Sequence, residues 1–598
     1  MRAYAVPANT ELGPADNLTD PVWRYEREAA SRTALQRYVN GRWVDVSCAE
    51  FAQHVRSVAK GLIAAGVQAG DRVSIFADTR YDWTLADYAI MAAGAATVPI
   101  YPSSSAEQVE WIVSDSGAVG IFCATAEHVS IVESVRDALP GLAEVWSFDG
   151  GAIETLIEAG NSVPDSAVAE RLATLGPDSL ATIIYTSGTT GRPKGCDLSH
   201  GNLLVEARSV LRAASDVFEP GNKTLLFLPI AHIFGKVIQC ACIEGGIVVG
   251  HYSDVSQLIN IFPTFQPHFI LSVPRVFEKI YNGAKALAHQ SKLKGKVFDF
   301  AERTGIEYSQ ALDSPKGPTK ALLRKHAIAD KLVFSTLRTK MGGNVKYAIS
   351  GGAPLGARLG HFYRGAGITI LEGYGLTETS AAATVNLPTK IKIGTVGAPV
   401  PGTSIRIADD GEILIKGPIV FRGYWNNAAA TGEAIDADGW FHSGDIGQID
   451  PRGFVSITGR KKELLVTAGG KNVAPAVLED RINAHPLISM SMVVGDAKPY
   501  IACLVTIDPE VFPKWKADHG KPAGASVADL TDDFDLRETV QAAIDDANKA
   551  VSKAESIRKF EILPVDFTED GGEITPTLKL KRNVVMAKYA AAVEALYS

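Results

Sequence analysis

The stretch most able to do chemistry is Tyr185-Thr-Ser-Gly-Thr-Thr-Gly-Arg-Pro-Lys-Gly-Cys196, which follows the apolar run Leu180-Ala-Thr-Ile-Ile184. That run reads as a buried strand, and a loop leaving such a strand is where an α/β fold usually holds its ligand. Gly188, Gly191 and Gly195 let backbone amides approach a ligand closely. Thr186, Ser187, Thr189 and Thr190 add hydroxyls and Lys194 adds a positive charge. The set suits a polyphosphate. It is not a Walker A loop, because Gly188 and Gly195 have the wrong spacing and Gly195 follows the lysine where that motif has Ser or Thr. In isolation it reads more readily as a polar Gly-rich turn without a ligand.

Five further stretches change that balance. Ile349-Ser-Gly-Gly-Ala-Pro354 ends an apolar run with two glycines that a flat base could approach. Glu372-Gly-Tyr-Gly-Leu-Thr-Glu-Thr379 offers an aromatic face, a hydroxyl and a carboxylate within a few residues. Phe441-His-Ser-Gly-Asp445 and Thr458-Gly-Arg460 supply an acidic and a basic hydrogen-bonding partner, and Thr575-Pro-Thr-Leu-Lys579 places a lysine late in the chain. Taken singly, Asp445 reads as a turn cap, Arg460 as a surface ion pair, and Lys579-Leu-Lys-Arg582 as a solvated basic patch. His232, in Pro229-Ile-Ala-His-Ile-Phe-Gly235, reads equally as a core histidine.

The elements that must position these residues alternate between strand-like and helix-like patterns. Short apolar runs at Arg72–Phe76, Thr97–Ile100, Val119–Phe122, Glu144–Phe148, Thr224–Leu228, Gly246–Val249, Phe269–Val273, Val345–Ile349 and Ile368–Leu371 are separated by segments of helical period. The expected class is therefore α/β, with mainly parallel sheets covered on both faces. Residues 1–45 read as an irregular arm ending in a hairpin turn at Asn40-Gly41. Near Gly394 the texture changes to short β pieces, which predicts a small barrel over about 394–458. Beyond Gly459 a mixed α+β unit is expected, giving domains 1–458 and 459–598.

Composition bounds the function. At 598 residues with 46% hydrophobic and 21% charged residues, the chain is a multidomain globular protein. A net charge of −8 gives no general attraction to nucleic acid. Cys48, Cys123, Cys196, Cys240, Cys242 and Cys503 show no zinc-ligand spacing and read as reduced thiols. There is no signal-peptide pattern and no apolar run of membrane-spanning length, so a cytoplasmic location is expected. Residues 285–340 stand apart, with 12 Lys and Arg against 5 Asp and Glu.

In this order and spacing the six stretches resemble the adenylate-forming superfamily of acyl-CoA synthetases, adenylation domains and firefly luciferase, over about residues 30–595. The resemblance implies a large N-terminal domain of two α/β subdomains plus a barrel, and a small mobile C-terminal domain. It implies that Lys194 and the hydroxyls of its loop hold ATP phosphates and that Glu378 is the Mg²⁺-associated carboxylate. Gly351, Gly352, Ala353, Tyr374 and Gly375 match adenine-contacting positions, and Thr377 lies near the α-phosphate. Asp445 matches the ribose ligand with Arg460 as its partner, Lys579 the lysine of adenylation, and His232 a residue beside the acyl carboxylate. Lys461 and Lys462 fall at the hinge.

Val273-Pro-Arg-Val-Phe-Glu-Lys279, Gly459-Arg-Lys-Lys-Glu-Leu464 and Ile574-Thr-Pro-Thr-Leu-Lys-Leu-Lys-Arg582 resemble the bacterial long-chain acyl-CoA synthetase branch. The implied reaction joins a fatty acid to coenzyme A through an acyl-adenylate, with ATP and Mg²⁺. Loading of a carrier protein is the rival acceptor chemistry. A nucleotide-binding regulator without chemistry is the rival from another class, and it would be expected to lack Lys579 or Glu378. An oligomer is compatible with the sequence. The basic 285–340 segment raises the expectation of peripheral contact with the inner face of the cell membrane, against the alternative of a solvated helical surface.

Overall fold

A computed structural model describes residues 1–186, 192–468, 471–575 and 579–598. They fall into two units. The first comprises Met1–Arg406, Leu414–Ser443 and Ile449–Val455, and the second Ile407–Ile413, Gly444–Gln448 and Ser456–Ser598.

In the first unit the expected apolar runs are strands. A seven-stranded sheet runs in the order Gly423–Tyr424, Lys194–Ser199, Leu180–Thr186, Ala96–Ile100, Arg72–Phe76, Gly120–Cys123, Glu144–Ser147. The last five are parallel to one another, and the first two run antiparallel to their neighbours. Val98, Ile100, Ile75, Ile121 and Ile183 are all fully buried, which is why these strands read as unbroken apolar runs without alternation. A second sheet aligns Phe269–Ser272, Tyr347–Ser350 and Thr369–Tyr374 in parallel, then adds Thr384–Val385 and Ala398–Pro399 antiparallel. A third joins Lys223–Leu226, Val248–His251 and Thr33–Val39 in parallel and ends on Arg42–Ser47.

The first 45 residues are more ordered than expected. Asp20–Glu28 is a helix and Thr33–Val39 a sheet strand. That helix is short and mostly polar or charged, and it buries only Pro21 and Val22, so few apolar residues mark it in the sequence. The hairpin turn falls where Asn40-Gly41 placed it, with φ of +49° and +78° at the two residues, the left-handed pair that a two-residue turn between twisted strands requires.

The basic insertion is helical, as Pro274–His289, Lys292–Leu312, Lys320–Ala329 and Ser335–Lys340. The second of these presses against the helix Ala357–Gly365, where a Cβ on Gly365 would lie 2.2 Å from the Gly305 carbonyl oxygen. No helix among the described residues is long and apolar enough to cross a membrane.

In the second unit, Ile488–Val494 pairs antiparallel with Ile501–Ile507, which pairs in parallel with Ile557–Ile562. The helices Pro475–Asn483 and Phe534–Asn548 bury Leu478, Ile482, Leu536, Val540 and Ile544 in one core with these strands. The β pieces expected after Gly394 are present as Ser404–Ile407, Glu412–Lys416, Phe441–Ile449 and Val455–Arg460.

Candidate active site

The strand Leu180–Thr186 turns back into the antiparallel strand Lys194–Ser199, so the Gly-rich stretch joins a hairpin and Lys194 sits in register with Thr186. Ser187, Gly188, Thr189 and Thr190 lie outside the described residues. Antiparallel pairing of Cys196 with Tyr424 brings the segment Gly423–Tyr424 alongside. The Lys194 ammonium lies 4.7 Å from the centre of the Tyr424 ring, and the Tyr424 hydroxyl donates to Glu378 Oε1 at 2.7 Å. Burial, and then the Glu378 charge, push the Tyr424 phenol well above its ordinary pKa, so it stays a donor. Residues 230 positions apart thereby form one unit, a cation, a ring and a buried carboxylate.

Tyr424 was not legible as a site residue, because its place follows from strand register and not from local pattern. Tyr424→Phe keeps the ring under Lys194 and removes the bond to Glu378. A hydrogen bond to a charged group contributes roughly 1.5–3 kcal/mol, so if the chain adenylates an acid with Mg²⁺ as the resemblance implies, pyrophosphate release should fall by about ten- to a hundredfold, with a higher Mg²⁺ concentration needed for half-maximal rate. An unchanged Mg²⁺ dependence would show that the phenol does not orient the carboxylate.

The segment holding Glu378 is tightly made. Thr377 and Glu378 are buried in a short turn, Thr377–Thr379. The Thr379 hydroxyl accepts from the Leu376 amide at 2.9 Å, and the Ser380 hydroxyl donates to the Ile419 carbonyl at 2.7 Å. Ser380 and Ala381 take φ of +55° and +99°, a strained pair for residues with side chains. Gly375 is required here, since a Cβ on it would lie 1.4 Å from the Ala381 carbonyl oxygen. On the far side Glu206, from the helix His200–Ala213, accepts from the Ala382 amide at 3.3 Å and is pushed well above the usual carboxylate range by burial.

Gly351, Gly352 and Ala353 follow the strand Tyr347–Ser350, beside Thr369–Tyr374, which ends on Tyr374. Gly352 takes a φ of +85°, and Gly352 and Ala353 are exposed, so a planar ligand can reach their backbone. Glu372 accepts from the Leu355 amide at 3.2 Å and is pushed up to about 7 by burial. The ring of Phe234 lies 3.6 Å from where a Gly351 side chain would begin, which brings the His232 turn next to this loop. His232 caps the helix Ile233–Gly245, its Nδ1 accepting from the Phe234 amide at 3.2 Å. With Nδ1 an acceptor, the neutral ring carries its proton on Nε2, where it can donate to a carboxylate.

The helix behind His232 is anchored by a buried ion pair. Lys236 Nζ meets both carboxylate oxygens of Asp87 at 2.5 Å, and Gln239 Nε2 and Thr97 Oγ1 donate to the same carboxylate at 2.6 and 2.7 Å. Both charged side chains are inaccessible to solvent. The extra donors are what make such burial tolerable.

In the second unit, Asp445 is buried, and Arg460 Nε donates to its Oδ1 at 2.9 Å, so the two expected partners do meet. Lys461 pairs with Asp410 at 2.5 Å and Glu412 at 3.1 Å, and Lys462 is exposed. Lys579 is exposed, on a loop closed by the Thr575 amide donating to the Lys579 carbonyl at 2.8 Å and the Lys579 amide to Thr575 Oγ1 at 3.0 Å. Arg582 departs from the solvated-patch reading. It reaches inward to Glu479, to Glu463 at 3.4 Å and to the Val493 carbonyl at 3.2 Å. The loop of Lys579 and the turn Lys461–Glu463 are thereby tied through one guanidinium.

Among the described residues there is no cluster of three or more His, Cys, Asp or Glu side chains able to hold a metal alone. Glu378 fits Mg²⁺ in the way that ion usually binds, through one or two carboxylates together with substrate phosphates.

The AMP-binding enzyme model matches residues 23–425 and the AMP-binding enzyme C-terminal domain model residues 462–598. The chain is 52% identical to the long-chain-fatty-acid–CoA ligase FadD15 of Mycobacterium bovis, with all of both chains covered. It is 31% identical to the peroxisomal long chain acyl-CoA synthetase 7 of Arabidopsis thaliana, over 99% of this chain and 87% of the plant protein. The adenylation domain of a Mycobacterium chelonae carboxylate reductase shares the fold, with a TM-score of 0.76, 22% identity, and 98% and 92% of the two chains covered. The chain therefore belongs to the AMP-binding enzyme family.

Proposed function

We propose that this chain is a long-chain fatty acid–CoA ligase that forms an acyl-adenylate with release of pyrophosphate, then transfers the acyl group to coenzyme A with release of AMP. The observation that carries the reading is the meeting of Lys194 and Glu378 on Tyr424, a cation and a carboxylate on one ring, which suits a metal-bound polyphosphate. The full-length likeness to a mycobacterial long-chain-fatty-acid–CoA ligase supports the choice of acid and thiol.

In this reading Lys194, Thr186 and the hydroxyls of Ser187, Thr189 and Thr190 hold the pyrophosphate leaving group. Glu378 would bind Mg²⁺, which when bound neutralises charge on the phosphate oxygens. Tyr374 and the Gly351–Ala353 backbone receive adenine, Asp445 accepts from the ribose hydroxyls with Arg460 holding its carboxylate, and Thr377 donates near the α-phosphate. His232 Nε2–H orients the acyl carboxylate for attack on the α-phosphorus. Lys579 stabilises the charge that develops there. No protein nucleophile is needed.

Residues 459–598 then turn about Lys461 and Lys462 against residues 1–458, removing Lys579 so that a thiol can approach the mixed anhydride. Peripheral membrane contact through residues 285–340 belongs to the same proposal. The test is pyrophosphate release and thioester formation over acids of increasing chain length, with coenzyme A and with a carrier protein as acceptors. Maximal rates are expected with long acids and coenzyme A. Adenylation without transfer to coenzyme A would overturn the acceptor.

A further inference from the structure

Thr186, Lys194 and Tyr424 each have a chain neighbour tied to a single helix, Ala106–Ser116. The Tyr185 hydroxyl donates to Asp115 Oδ2 at 2.6 Å. The Trp111 indole N–H donates to the Pro193 carbonyl at 2.8 Å, and the Arg192 guanidinium lies 4.8 Å from the centre of the Trp111 ring. Trp425 Nε1 and Asn426 Nδ2 donate to the main-chain carbonyl of Asp115 at 3.1 and 3.2 Å. Trp111 and Asp115 are one helical turn apart, so they share a face of the helix.

Strand register explains why these ties fall one residue away from the site. Neighbours along a strand point to opposite faces of a sheet. Tyr185 pairs with Gly195 and Thr186 with Lys194, while Cys196 pairs with Tyr424. Thr186, Lys194 and Tyr424 therefore share one face, and Tyr185, Gly195 and Trp425 share the other. A Cβ on Gly195 would lie 3.0 Å from the Tyr185 ring and 3.3 Å from Trp425 Cβ, so both side chains close over that position from behind. The helix covers this rear face, with Val109, Ile112 and Val113 buried in one core with Ile183 and Tyr185. It is fixed at both ends, by the capping box of Ser105 and Gln108 and by Arg72, which donates to the Ser116 and Gly117 carbonyls.

We infer that Asp115 and Trp111 are positioning residues for polyphosphate binding, setting from behind the sheet the spacing between the hairpin of Thr186 and Lys194 and the segment of Tyr424. They act through Tyr185, Pro193 and Trp425. Asp115 joins two strands on one residue, its carboxylate serving Tyr185 and its main-chain carbonyl serving Trp425 and Asn426. Burial, and then the bond to Asp115, push the Tyr185 phenol above its ordinary pKa, so it stays a donor. Because Tyr424 also bonds Glu378, the same spacing governs how near the Lys194 charge comes to that carboxylate. A shift in it weakens a ligand held by both, a metal-bound polyphosphate, and leaves an acyl-adenylate without its pyrophosphate largely unaffected. The inference rests on the proposed adenylation for the identity of that ligand.

The test measures MgATP affinity by calorimetry, KM and kcat for pyrophosphate release, and thioester formation from supplied acyl-adenylate, all on the full chain. Asp115→Ala keeps the main-chain carbonyl that Trp425 and Asn426 use and removes only the acceptor of Tyr185. It should weaken MgATP binding and raise KM for ATP by about tenfold, with thioester formation from acyl-adenylate unchanged. Asp115→Asn should recover most of the loss, since its amide oxygen still accepts from Tyr185. Tyr185→Phe should match Asp115→Ala, and the two combined should be no worse than either alone. Trp111→Phe keeps a ring beside Arg192 and loses the N–H, so a rise of only a few-fold in KM for ATP is expected. Unchanged MgATP affinity in Asp115→Ala and Trp111→Phe, equal slowing of both half-reactions, or no recovery with asparagine overturns the inference. Weakened MgATP binding in these variants of a chain that forms no thioester would leave the inference standing and overturn the ligase reading.

Discussion

Lys579→Ala should lower pyrophosphate release on the order of a hundred- to a thousandfold while leaving thioester formation from supplied acyl-adenylate within a few-fold of the parent rate. The asymmetry follows from where charge appears. When a carboxylate attacks the α-phosphorus, negative charge builds on the phosphate oxygens, and a lysine brought there by a mobile part stabilises the transition state more than the ground state. On the proposed mechanism the thiol then attacks a carbonyl, a step in which the same lysine takes no part. The substitution itself is mild for the fold, because Lys579 is exposed and the loop is closed by backbone and Thr575 bonds that alanine retains. Both half-reactions are to be measured, one as pyrophosphate release and the other by rapid mixing of synthetic acyl-adenylate with coenzyme A. Equal losses in the two would mean that the residue serves folding or general binding and would remove it from adenylation. Arg582→Ala is an informative companion, since it should loosen the tie to Glu479 and Glu463 and so affect both half-reactions.

What could be read from the chain, and what could not, divides by how local the cause is. Arg72–Phe76 and Gly120–Cys123 were legible as strands because burial on both faces writes itself as an unbroken apolar run. Asn40-Gly41 was legible as a turn because two consecutive left-handed residues admit few sequences. Lys194 stood in a loop whose composition already suited a polyphosphate, whereas Glu378 was singled out by the family resemblance. Tyr424 had neither signal. Nothing near it marks a site, and its role comes from pairing with Cys196 across a sheet edge. The Lys236–Asp87 pair is hidden for the same reason: each looks like an ordinary surface charge until two helices from distant parts of the chain pack together. Arg582 reads as a member of a solvated basic run, and only the packing of Pro475–Asn483 shows that its charge is met inside. The helix Asp20–Glu28 was missed because it is short and carries few apolar residues. Side chains that act through long-range partners carry no local signature.

Glu378→Ala tests the other half of the charge balance. Glu378 is buried, with one carboxylate oxygen taken by Tyr424. Alanine removes the carboxylate and leaves the partly buried Tyr424 hydroxyl without this acceptor, an outcome worse than loss of a single contact. If the carboxylate holds Mg²⁺ with the phosphates, pyrophosphate release should fall on the order of a hundred- to a thousandfold, and added Mg²⁺ should recover only part of it. Glu378→Gln separates the two causes. The amide oxygen still accepts from Tyr424, so packing and loop geometry persist, but the negative charge on the metal is gone. Glutamine should therefore match alanine in the Mg²⁺ dependence of adenylation while matching the parent in thermal stability. Pyrophosphate release followed across a Mg²⁺ titration, beside thermal unfolding of the three proteins, reads both effects. A glutamine variant with the parent's Mg²⁺ dependence would place the ion elsewhere and leave Glu378 as a support for the turn that carries it, with Tyr424 supporting the same turn and Lys194 left as the charge on the phosphates from this part of the fold.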